Sequence, residues 1–364
     1  MVTLPASSTK NPRAAAAISF WREFTSDTSR SRIVFGRNVY TEELIKAAPI
    51  DAVVDDFAPV GTRFHDRPVV KSADIPKDSL VIAASGGRPL TVRRLLNSQG
   101  IENFDYFAIA KHAAPHLREM LFNENFTDEY ERNSQQYDWL RAQLADERSA
   151  EILEKLIAFR RSADLDYLEG FIDRQKEQYF EEFLGLQRAN EVFVDVGCFD
   201  GYTTLQFCNL CPDYSHVFAF EPDPDNFANC SVALQNQRDI TLLPFAAGEH
   251  ASRSRISKQG SASTISDCGD TAIALEKMDD VLTQPPTFIK FDTEGGEAAA
   301  LRGGAMTIAT HTPRLAVAAY HKPGDFWALP RIIKDYCEDY SIFIRHYTES
   351  IYETVFFFVP KKES

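Results

Sequence analysis

A pattern typical of nucleoside binding stands in the middle of the chain, where glycines and acids flank two predicted strands. The apolar run Val192–Val196 contains Asp195 and is followed by Gly197 and Gly201, and the next apolar run ends at Glu221. Glycines let the backbone approach a ligand, and an acid at the end of the following strand can accept hydrogen bonds from ribose hydroxyls. The alternative is a tight strand-to-helix turn with solvated acids. We interpret the pattern as a cofactor site.

The charge around this turn distinguishes two classes of nucleoside cofactor. A nicotinamide or flavin dinucleotide places its pyrophosphate at the start of the helix, where Asp195 and Asp200 would repel it. S-adenosylmethionine carries an ammonium group and a sulfonium group but no phosphate. The two acids therefore favour S-adenosylmethionine.

The composition of the 364-residue chain argues against several other functions. Lysine and arginine total 39 against 53 acids, a net charge of −14 that disfavours nucleic acid as a partner. No apolar run is long enough to span a membrane, and the first residues lack a secretory-signal pattern. The six cysteines are sparse for this length, which fits a reducing compartment. We expect a cytoplasmic protein.

Alternating strand and helix patterns predict an α/β protein with two sheets. We expect a disordered or extended N-terminus over 1–30, a small Rossmann-like α/β domain over 31–115, a helical connector over 116–190 and the cofactor-binding domain over 191–364. Five predicted parallel strands and a final hairpin-like pair indicate the seven-stranded, mostly parallel methyltransferase sheet. The third of these strands is predicted over Thr241–Ala246.

The smaller domain offers weaker ligand-binding patterns. Gly36 follows its first strand and Asp55 ends the second, at the spacing of a dinucleotide site. A single glycine there is more often plain turn geometry. Ser85–Arg88 (Ser-Gly-Gly-Arg) is a candidate for a small anion at a helix start. An NAD-dependent or nucleotide-sugar-dependent enzyme that uses this sheet stays open as an alternative.

Seven short motifs follow one another in the second half of the chain. They are FVDVGCFDGYTT, FEPDP, FAAGE, FIKFDTEGGE, LRGG, AAYHKPGDFW and RHYTESIYETVFF. In this order they resemble the FkbM family of S-adenosylmethionine-dependent methyltransferases, over about Tyr179 to Pro360. The resemblance implies a class I methyltransferase fold, S-adenosyl-L-methionine as cofactor, and a hydroxyl of a sugar or polyketide-like small molecule as the methyl acceptor.

The resemblance also implies which residues hold the cofactor. Asp195, Gly197 and Gly201 would face its methionine part, and Glu221 would bind the ribose hydroxyls. Pro222 and Asp223 would shape the turn after Glu221. Adenine would lie against the end of the third strand, at Phe245, Ala246 and Ala247.

Residues able to handle a proton are predicted at the ends of the fourth and fifth strands, where open α/β sheets place reacting groups. Lys290 and Asp292 share one face of the fourth strand, and His321 ends the fifth. Methyl transfer to a hydroxyl must release a proton, so Asp292 and His321 are candidates for base or orienter. Lys290 would pair with Asp292 or stabilise a developing alkoxide. A buried structural pair of Lys290 with Asp292, and a strand-end cap by His321, are the alternatives.

Two further interpretations stay open on the acceptor side. Asp292, Glu294 and His321 are suitable ligands for a divalent metal, although the sequence does not require one and we assign no metal ligands. Tyr179 and Phe180 would either line a substrate mouth or pack in the core.

The most consistent interpretation is an S-adenosylmethionine-dependent O-methyltransferase. Its smaller domain would hold part of the acceptor or mediate assembly into a homo-oligomer. A non-catalytic binding protein that keeps the fold is the remaining alternative.

Overall fold

The computed structural model describes residues 12–27, 29–259, 262–265 and 269–361, without the side chains of 258, 259 and 262–265. The described chain divides into two compact units. The first holds residues up to Thr127 together with Glu154–Asp173 and Thr348–Tyr352. The second holds Asp128–Leu153, Arg174–Tyr347 and the residues from Glu353 onward.

The first unit contains a six-stranded sheet and its flanking helices. Its elements, in chain order, are α1 (Pro12–Ser26), β1 (Arg32–Phe35), α2 (Val39–Ala47), β2 (Ala52–Val54), β3 (Arg63–Phe64), β4 (Arg67–Val70), β5 (Leu80–Ala83), α3 (Pro89–Ser98), β6 (Glu102–Asp105) and α4 (Tyr106–His112). The strand order is β3-β4-β2-β1-β5-β6. All neighbours pair in parallel except β3 with β4, so this is the Rossmann-like sheet that the sequence predicts.

The prediction of a disordered or extended N-terminus is wrong for Pro12–Ser26, which form α1. Four consecutive alanines at the start of this segment favour a helix. Ala17, Phe20 and Phe24 are spaced by three and four residues, so they lie on one face, and all three are buried. Residues 1–11 and 28 lie outside the described part of the chain.

Two helices follow the first sheet in the chain: α5 (Phe126–Gln143) and α6 (Glu147–Ser162). Each contributes residues to both units. Short 3-10 turns lead from them to the second sheet: Leu165–Leu168, Gln175–Glu177 and Glu182–Leu184.

The second unit is built on a seven-stranded sheet. Its remaining elements are β7 (Val192–Val196), α7 (Tyr202–Leu210), β8 (His216–Phe220), α8 (Pro224–Leu234), β9 (Ile240–Leu243), β10 (Ala246–Ala247), β11 (Ser252–Gln259), β12 (Ala262–Ile265), β13 (Thr271–Glu276), α9 (Met278–Val281), β14 (Phe288–Phe291), α10 (Glu297–Gly303), α11 (Ala305–His311), β15 (Arg314–Ala318), α12 (Asp325–Tyr336), β16 (Tyr340–His346) and β17 (Thr354–Pro360).

The order of this sheet is β16-β17-β15-β14-β7-β8-β9. Strands β7, β8, β9, β14 and β15 are parallel, and β17 runs antiparallel to both β15 and β16. The predicted seven-stranded, mostly parallel sheet of class I methyltransferases is therefore confirmed. Every residue of β7 and β14 is buried, which explains their nearly continuous apolar sequences.

A second, four-stranded sheet with order β10-β13-β11-β12 lies in the same unit and was not predicted. The strand expected over Thr241–Ala246 ends at Leu243 instead. Pro244 has no N–H for a strand ladder, and the chain then leaves the large sheet. Ala246 and Ala247 pair with β13 of the small sheet.

Within the described residues, no helix combines the length and the apolar character that crossing a bilayer would need.

Candidate active site

A cavity of about 650 Å³ opens where β7, β8 and β14 end. Its walls include Gly197 after β7, Glu221 after β8 and Asp292 after β14. Open α/β sheets bind their ligands at this edge, and cavities of this size suit small molecules and cofactors. The cavity therefore lies where the sequence places the cofactor and the acceptor.

The turn after β7 requires glycine. Gly197 has a φ of +85°, a region that other residues rarely adopt. A Cβ atom at this position would lie 1.9 Å from the carbonyl oxygen of Asp292, so a side chain cannot be accommodated without displacing backbone. Gly201 also has a φ of +85°, but a Cβ there would lie 3.1 Å from Cys230 on α8. Gly197 thus borders the cavity, whereas Gly201 brings α7 close to α8.

Asp195 and Lys290 form a buried ion pair beneath this turn. They face each other in the register of β7 and β14, and Lys290 Nζ lies 3.1 Å from Asp195 Oδ1. Thr204 donates to the other carboxylate oxygen at 2.7 Å. Lys290 also donates to the carbonyl oxygen of Gly197 at 2.6 Å. The expected pairing of Lys290 with Asp292 is replaced by this one, because Asp195 lies directly opposite the lysine.

Asp195 itself is fully buried and is not part of the cavity wall. Its carboxylate forms an ion pair with Lys290 and accepts a hydrogen bond from Thr204. The resemblance implies that Asp195 faces the methionine part of the cofactor, whereas in the structure it lies behind the cavity wall. Its contacts hold the glycine turn in place instead.

Glu221 has the position and the surroundings of a hydroxyl-binding acid. Its two carboxylate oxygens accept from the backbone N–H groups of Asp223, at 2.8 Å, and Phe199, at 2.9 Å. The side chain borders the cavity, and burial raises the pKa of its carboxyl to about 7. The Asn226 side chain also donates to this carboxylate, and a carboxylate offers about four acceptor positions, so one remains for a ligand hydroxyl.

Most of the residues expected near adenine border the same cavity: Pro222, Asp223, Ala246 and Ala247. The Asp223 carboxylate also accepts from the N–H groups of Asp225 and Asn226 and so caps α8. Phe245 is the exception. It is not part of the cavity wall, and its ring packs edge-on against Phe220 with centroids 5.7 Å apart. Ile256 of the small sheet borders the cavity as well, a contribution that the sequence analysis missed.

A histidine surrounded by carboxylates lies at the acceptor side. His321 Nε2 is 3.7 Å from Asp292 Oδ1 and 3.4 Å from Glu294 Oε2. Its Nδ1 is 3.0 Å from Glu297 Oε1. Asp292 and Glu294 border the cavity, with 23% and 30% of their side chains exposed, whereas His321 is 1% exposed behind them. The carboxylates can therefore touch an acceptor that the imidazole cannot reach.

The pKa values of this cluster reflect mutual charge and burial. Burial alone would lower the pKa of His321, but Glu297, Asp292 and Glu294 outweigh it and raise that pKa to about 10. The pKa of Glu297 lies well below its usual value despite burial, because His321 and the N–H of Thr293 favour its ionised form. Burial raises the pKa of Glu294 to about 7.

Two residues distant in sequence complete this side of the cavity. The hydroxyl of Tyr179 donates to Asp292 Oδ2 at 2.6 Å, so Tyr179 lines the site while Phe180 packs with Phe193 and Phe288. Glu353 also borders the cavity and accepts from Gln178 at 2.6 Å. Glu353 was not predicted, although it belongs to the last of the seven motifs.

Comparison with known proteins is consistent with this geometry. Residues 195–350 match the family model described as Methyltransferase FkbM domain. The crystal structure of Methyltransferase FkbM from Methylobacillus flagellatus is similar to this chain, with a TM-score of 0.73 at 21% identity, over 96% of this chain and 98% of that one.

Other solved structures are similar over about half of the chain. A precorrin-6y C5,15-methyltransferase from Geobacter metallireducens has a TM-score of 0.34 at 14% identity, covering 54% of this chain and 95% of its own. An rRNA methylase from Streptococcus thermophilus has a TM-score of 0.33 at 13% identity, covering 56% and 96%. No curated protein sequence gives a significant match.

Proposed function

Since residues 195–350 form the FkbM domain of an S-adenosylmethionine-dependent methyltransferase, we propose that this enzyme methylates a hydroxyl group of a sugar or polyketide-like small molecule. The observation that carries the proposal is the single cavity that joins Glu221, on the cofactor side, to Asp292, on the acceptor side. S-adenosylmethionine supplies an electrophilic methyl group when it is bound.

The chemistry of the cavity fits this cofactor. Glu221 offers a buried carboxylate to the ribose hydroxyls, and Ala246 and Ala247 leave an apolar surface for adenine. Gly197 lets the backbone approach the methionine part. Acids on the cavity wall suit a sulfonium and an ammonium group better than a pyrophosphate.

We assign the acceptor side to the two exposed carboxylates. With S-adenosylmethionine bound, the acceptor oxygen would bond to the methyl carbon as the carbon–sulfur bond breaks, and S-adenosylhomocysteine would be released. The hydroxyl proton passes to Asp292 or Glu294, which both border the cavity. The Tyr179 hydroxyl holds Asp292 in place, and the buried His321 orients the two carboxylates.

Lys290 has a positioning role in this proposal. Its ammonium group contacts Asp195 and the Gly197 carbonyl oxygen, so it supports the glycine turn. The alkoxide-stabilising role that the sequence suggested for Lys290 is therefore not part of the proposal.

The charge of the cavity disfavours an anionic acceptor, because acids outnumber the two lysines of its wall, Lys176 and Lys290. Six acids contribute to its wall: Asp200, Glu221, Asp223, Asp292, Glu294 and Glu353. An anionic acceptor would be repelled at such a site.

Transfer of a labelled methyl group tests the function. The protein is incubated with S-adenosylmethionine carrying a CD3 group and with a fractionated extract of small molecules, and products are analysed by mass spectrometry. We expect hydroxylated compounds that gain one CD3 group on oxygen. Labelling on nitrogen or carbon alone would contradict O-methylation, and failure to bind S-adenosylhomocysteine in calorimetry would contradict the cofactor assignment.

The acceptor-side assignment is tested with the product found in that experiment. Asp292→Asn should lower turnover at least about 100-fold, the range for loss of a general base, while S-adenosylhomocysteine affinity stays near that of the wild type. Unchanged turnover in both Asp292→Asn and Glu294→Gln would show that the proton leaves by another route.

A further inference from the structure

Three side chains at the acceptor side are arranged as metal ligands. One donor atom from each of Asp292, Glu294 and His321 lies within 4.8 Å of the other two. The imidazole Nε2 is 3.7 Å from Asp292 Oδ1 and 3.4 Å from Glu294 Oε2. Neighbouring ligands of an octahedral Mg²⁺ ion lie about 3 Å apart, because each is about 2.1 Å from the ion. The three groups thus need to shift only slightly to share one ion.

A second layer of contacts orients these groups. Metal-binding histidines generally donate their other ring N–H to a carboxylate, which directs the free nitrogen towards the ion. His321 Nδ1 lies 3.0 Å from Glu297 Oε1, and Glu297 is fixed by the backbone N–H groups of Thr293, at 2.8 Å, and Gly295, at 3.3 Å. Tyr179 holds Asp292 Oδ2, which leaves Oδ1 on the side of His321.

The local charge also favours a cation. Asp292, Glu294 and Glu353 border the same cavity, and the buried Glu297 lies directly behind them. The nearest lysine in the sheet, Lys290, is paired with Asp195. Several carboxylates thus surround one imidazole, and a divalent ion that displaced the imidazole proton would offset the remaining negative charge.

We propose that Asp292, Glu294 and His321 form a binding site for a divalent cation, Mg²⁺ or Mn²⁺. Two carboxylates and one imidazole would hold one side of such an ion, and because Asp292 and Glu294 border the cavity, the ion would be open to an acceptor there. There it would bind the acceptor oxygen and stabilise the negative charge that develops on it, a role that rests on the proposed function.

Titration calorimetry with Mn²⁺ tests the site in the full chain after treatment with EDTA. We expect one Mn²⁺ per wild-type chain, displaced by Mg²⁺, and at least about tenfold weaker binding in Asp292→Asn and in Glu294→Gln. Asp200→Asn is the matched control, because Asp200 is an exposed acid of the same cavity outside the cluster, and it should bind Mn²⁺ like the wild type. Wild-type binding no tighter than that of Asp292→Asn would overturn the proposal, and so would an equal loss in Asp200→Asn.

Pulsed electron paramagnetic resonance on the wild-type protein identifies the ligand without any substitution. Bound Mn²⁺ should show coupling to one imidazole ¹⁴N nucleus. Coupling to water and carboxylates alone would exclude His321 as a ligand and overturn the three-residue site.

S-adenosylhomocysteine affinity, measured on the same samples, separates this proposal from the proposed function. A protein that binds S-adenosylhomocysteine but not Mn²⁺ would refute the metal site and leave the methyltransferase assignment intact. A protein that binds Mn²⁺ but not S-adenosylhomocysteine would support the metal site and contradict the cofactor assignment. Retained S-adenosylhomocysteine binding in Asp292→Asn and Glu294→Gln also shows that these variants are folded.

Discussion

The two units contain the same arrangement of a parallel strand, a glycine turn and a helix, yet the two turns differ in what they leave available. In the first unit, the turn after β1 satisfies its own polar groups. Asn38 donates to the carbonyl oxygen of Ala84 at 2.7 Å and accepts from the N–H of Tyr40 at 3.0 Å. Thr41 donates to the carbonyl oxygen of Gly36 at 2.6 Å. Backbone groups of this turn that a dinucleotide would need for hydrogen bonds are therefore already bonded to side chains of the protein.

The acids after the second strand of each unit show the same contrast. Asp55 pairs with Arg37 at 3.0 Å and accepts from the N–H of Phe57 at 2.9 Å. Glu221 accepts from backbone N–H groups while bordering a cavity of about 650 Å³. An acid neutralised by an arginine is a poor partner for ribose hydroxyls, whereas the Glu221 carboxylate borders the cavity that we propose for the cofactor.

The anion candidate Ser85–Arg88 is also occupied by protein groups. It precedes α3, where the N–H and the hydroxyl of Thr91 donate to the Glu349 carboxylate at 2.7 and 2.9 Å. Arg88 pairs with Asp173 at 2.6 Å. The protein's own carboxylates thus take the places that a phosphate would take. Whether a strand-to-helix turn can bind a ligand thus depends on which of its hydrogen-bond donors and acceptors remain available. This difference favours the second unit as the cofactor site and disfavours the alternative of an NAD site in the first unit.

Removing the lysine beneath the second turn should have the largest effect on stability. Lys290→Met leaves the fully buried Asp195 without its partner, and breaking a buried pair in this way costs about 3–5 kcal/mol. Arg37→Met is the matched change at the first turn, where the pair is partly exposed and should contribute about 0–1 kcal/mol. Equilibrium urea unfolding measures both. Equal losses would contradict the different roles that we give the two pairs.

A methyl group added to one glycine of each unit, in the turn after β7 and in the Ser85–Arg88 segment before α3, should sharpen the contrast further. Gly197→Ala places Cβ 1.9 Å from the Asp292 carbonyl oxygen at a φ of +85°, and the backbone conformation alone costs about 1–2 kcal/mol. We expect lower stability and loss of S-adenosylhomocysteine binding. Gly87→Ala, near the first sheet, meets no atom within 4 Å and should change neither. Wild-type affinity in Gly197→Ala would show that the turn does not border the ligand.

Much of the fold is predictable because its signals are local. The apolar runs of β7, β8 and β14 and the final strand pair predict the seven-stranded sheet. The small sheet was missed because β11, with the sequence SRSRISKQ, lacks an apolar run. The helix α1 was missed although the spacing of Ala17, Phe20 and Phe24 favours it, because the Ser-, Thr- and Ala-rich composition of the first 30 residues favours disorder.

Several residues that the sequence assigns to the cofactor or the acceptor border one cavity, whereas some of the side-chain pairings differ from those expected. Gly197, Glu221 and Asp292 border the cavity as expected. The partner of Lys290 depends on the register between β7 and β14, which no local pattern specifies. The contact of Tyr179 with Asp292 joins residues 113 positions apart, so spacing could not predict it. The local sequence thus indicates which charged side chains lie at the edge of the sheet. The register between neighbouring strands determines which of these side chains form ion pairs.

The two acids that follow the second strands should differ in their effect on cofactor binding. Glu221→Gln removes the charge that ribose hydroxyls would bind, so S-adenosylhomocysteine affinity should fall by about 1–3 kcal/mol, or roughly 5- to 150-fold. Asp55→Asn, the matched change in the first unit, should leave the affinity unchanged. Calorimetry on both variants decides between them. A larger loss of affinity in Asp55→Asn than in Glu221→Gln would indicate that the cofactor binds at the first sheet.

The pH dependence of cofactor binding should follow Glu221, because Glu294, whose pKa is also raised to about 7, lies at the acceptor side of the cavity. Burial raises the pKa of the Glu221 carboxyl to about 7, so the free protein holds a proton there at pH 6 and has lost most of it at pH 8. Ribose hydroxyls donate to the ionised carboxylate, so binding must release that proton and should weaken as the pH falls. Linkage predicts roughly tenfold weaker S-adenosylhomocysteine binding at pH 6 than at pH 8. Glu221→Gln has no such proton and should bind almost equally at both values. If the affinity of Glu221→Gln for S-adenosylhomocysteine still changed with pH, another group would be responsible for the titration. The main electrostatic difference that we describe between the two turns would then be wrong.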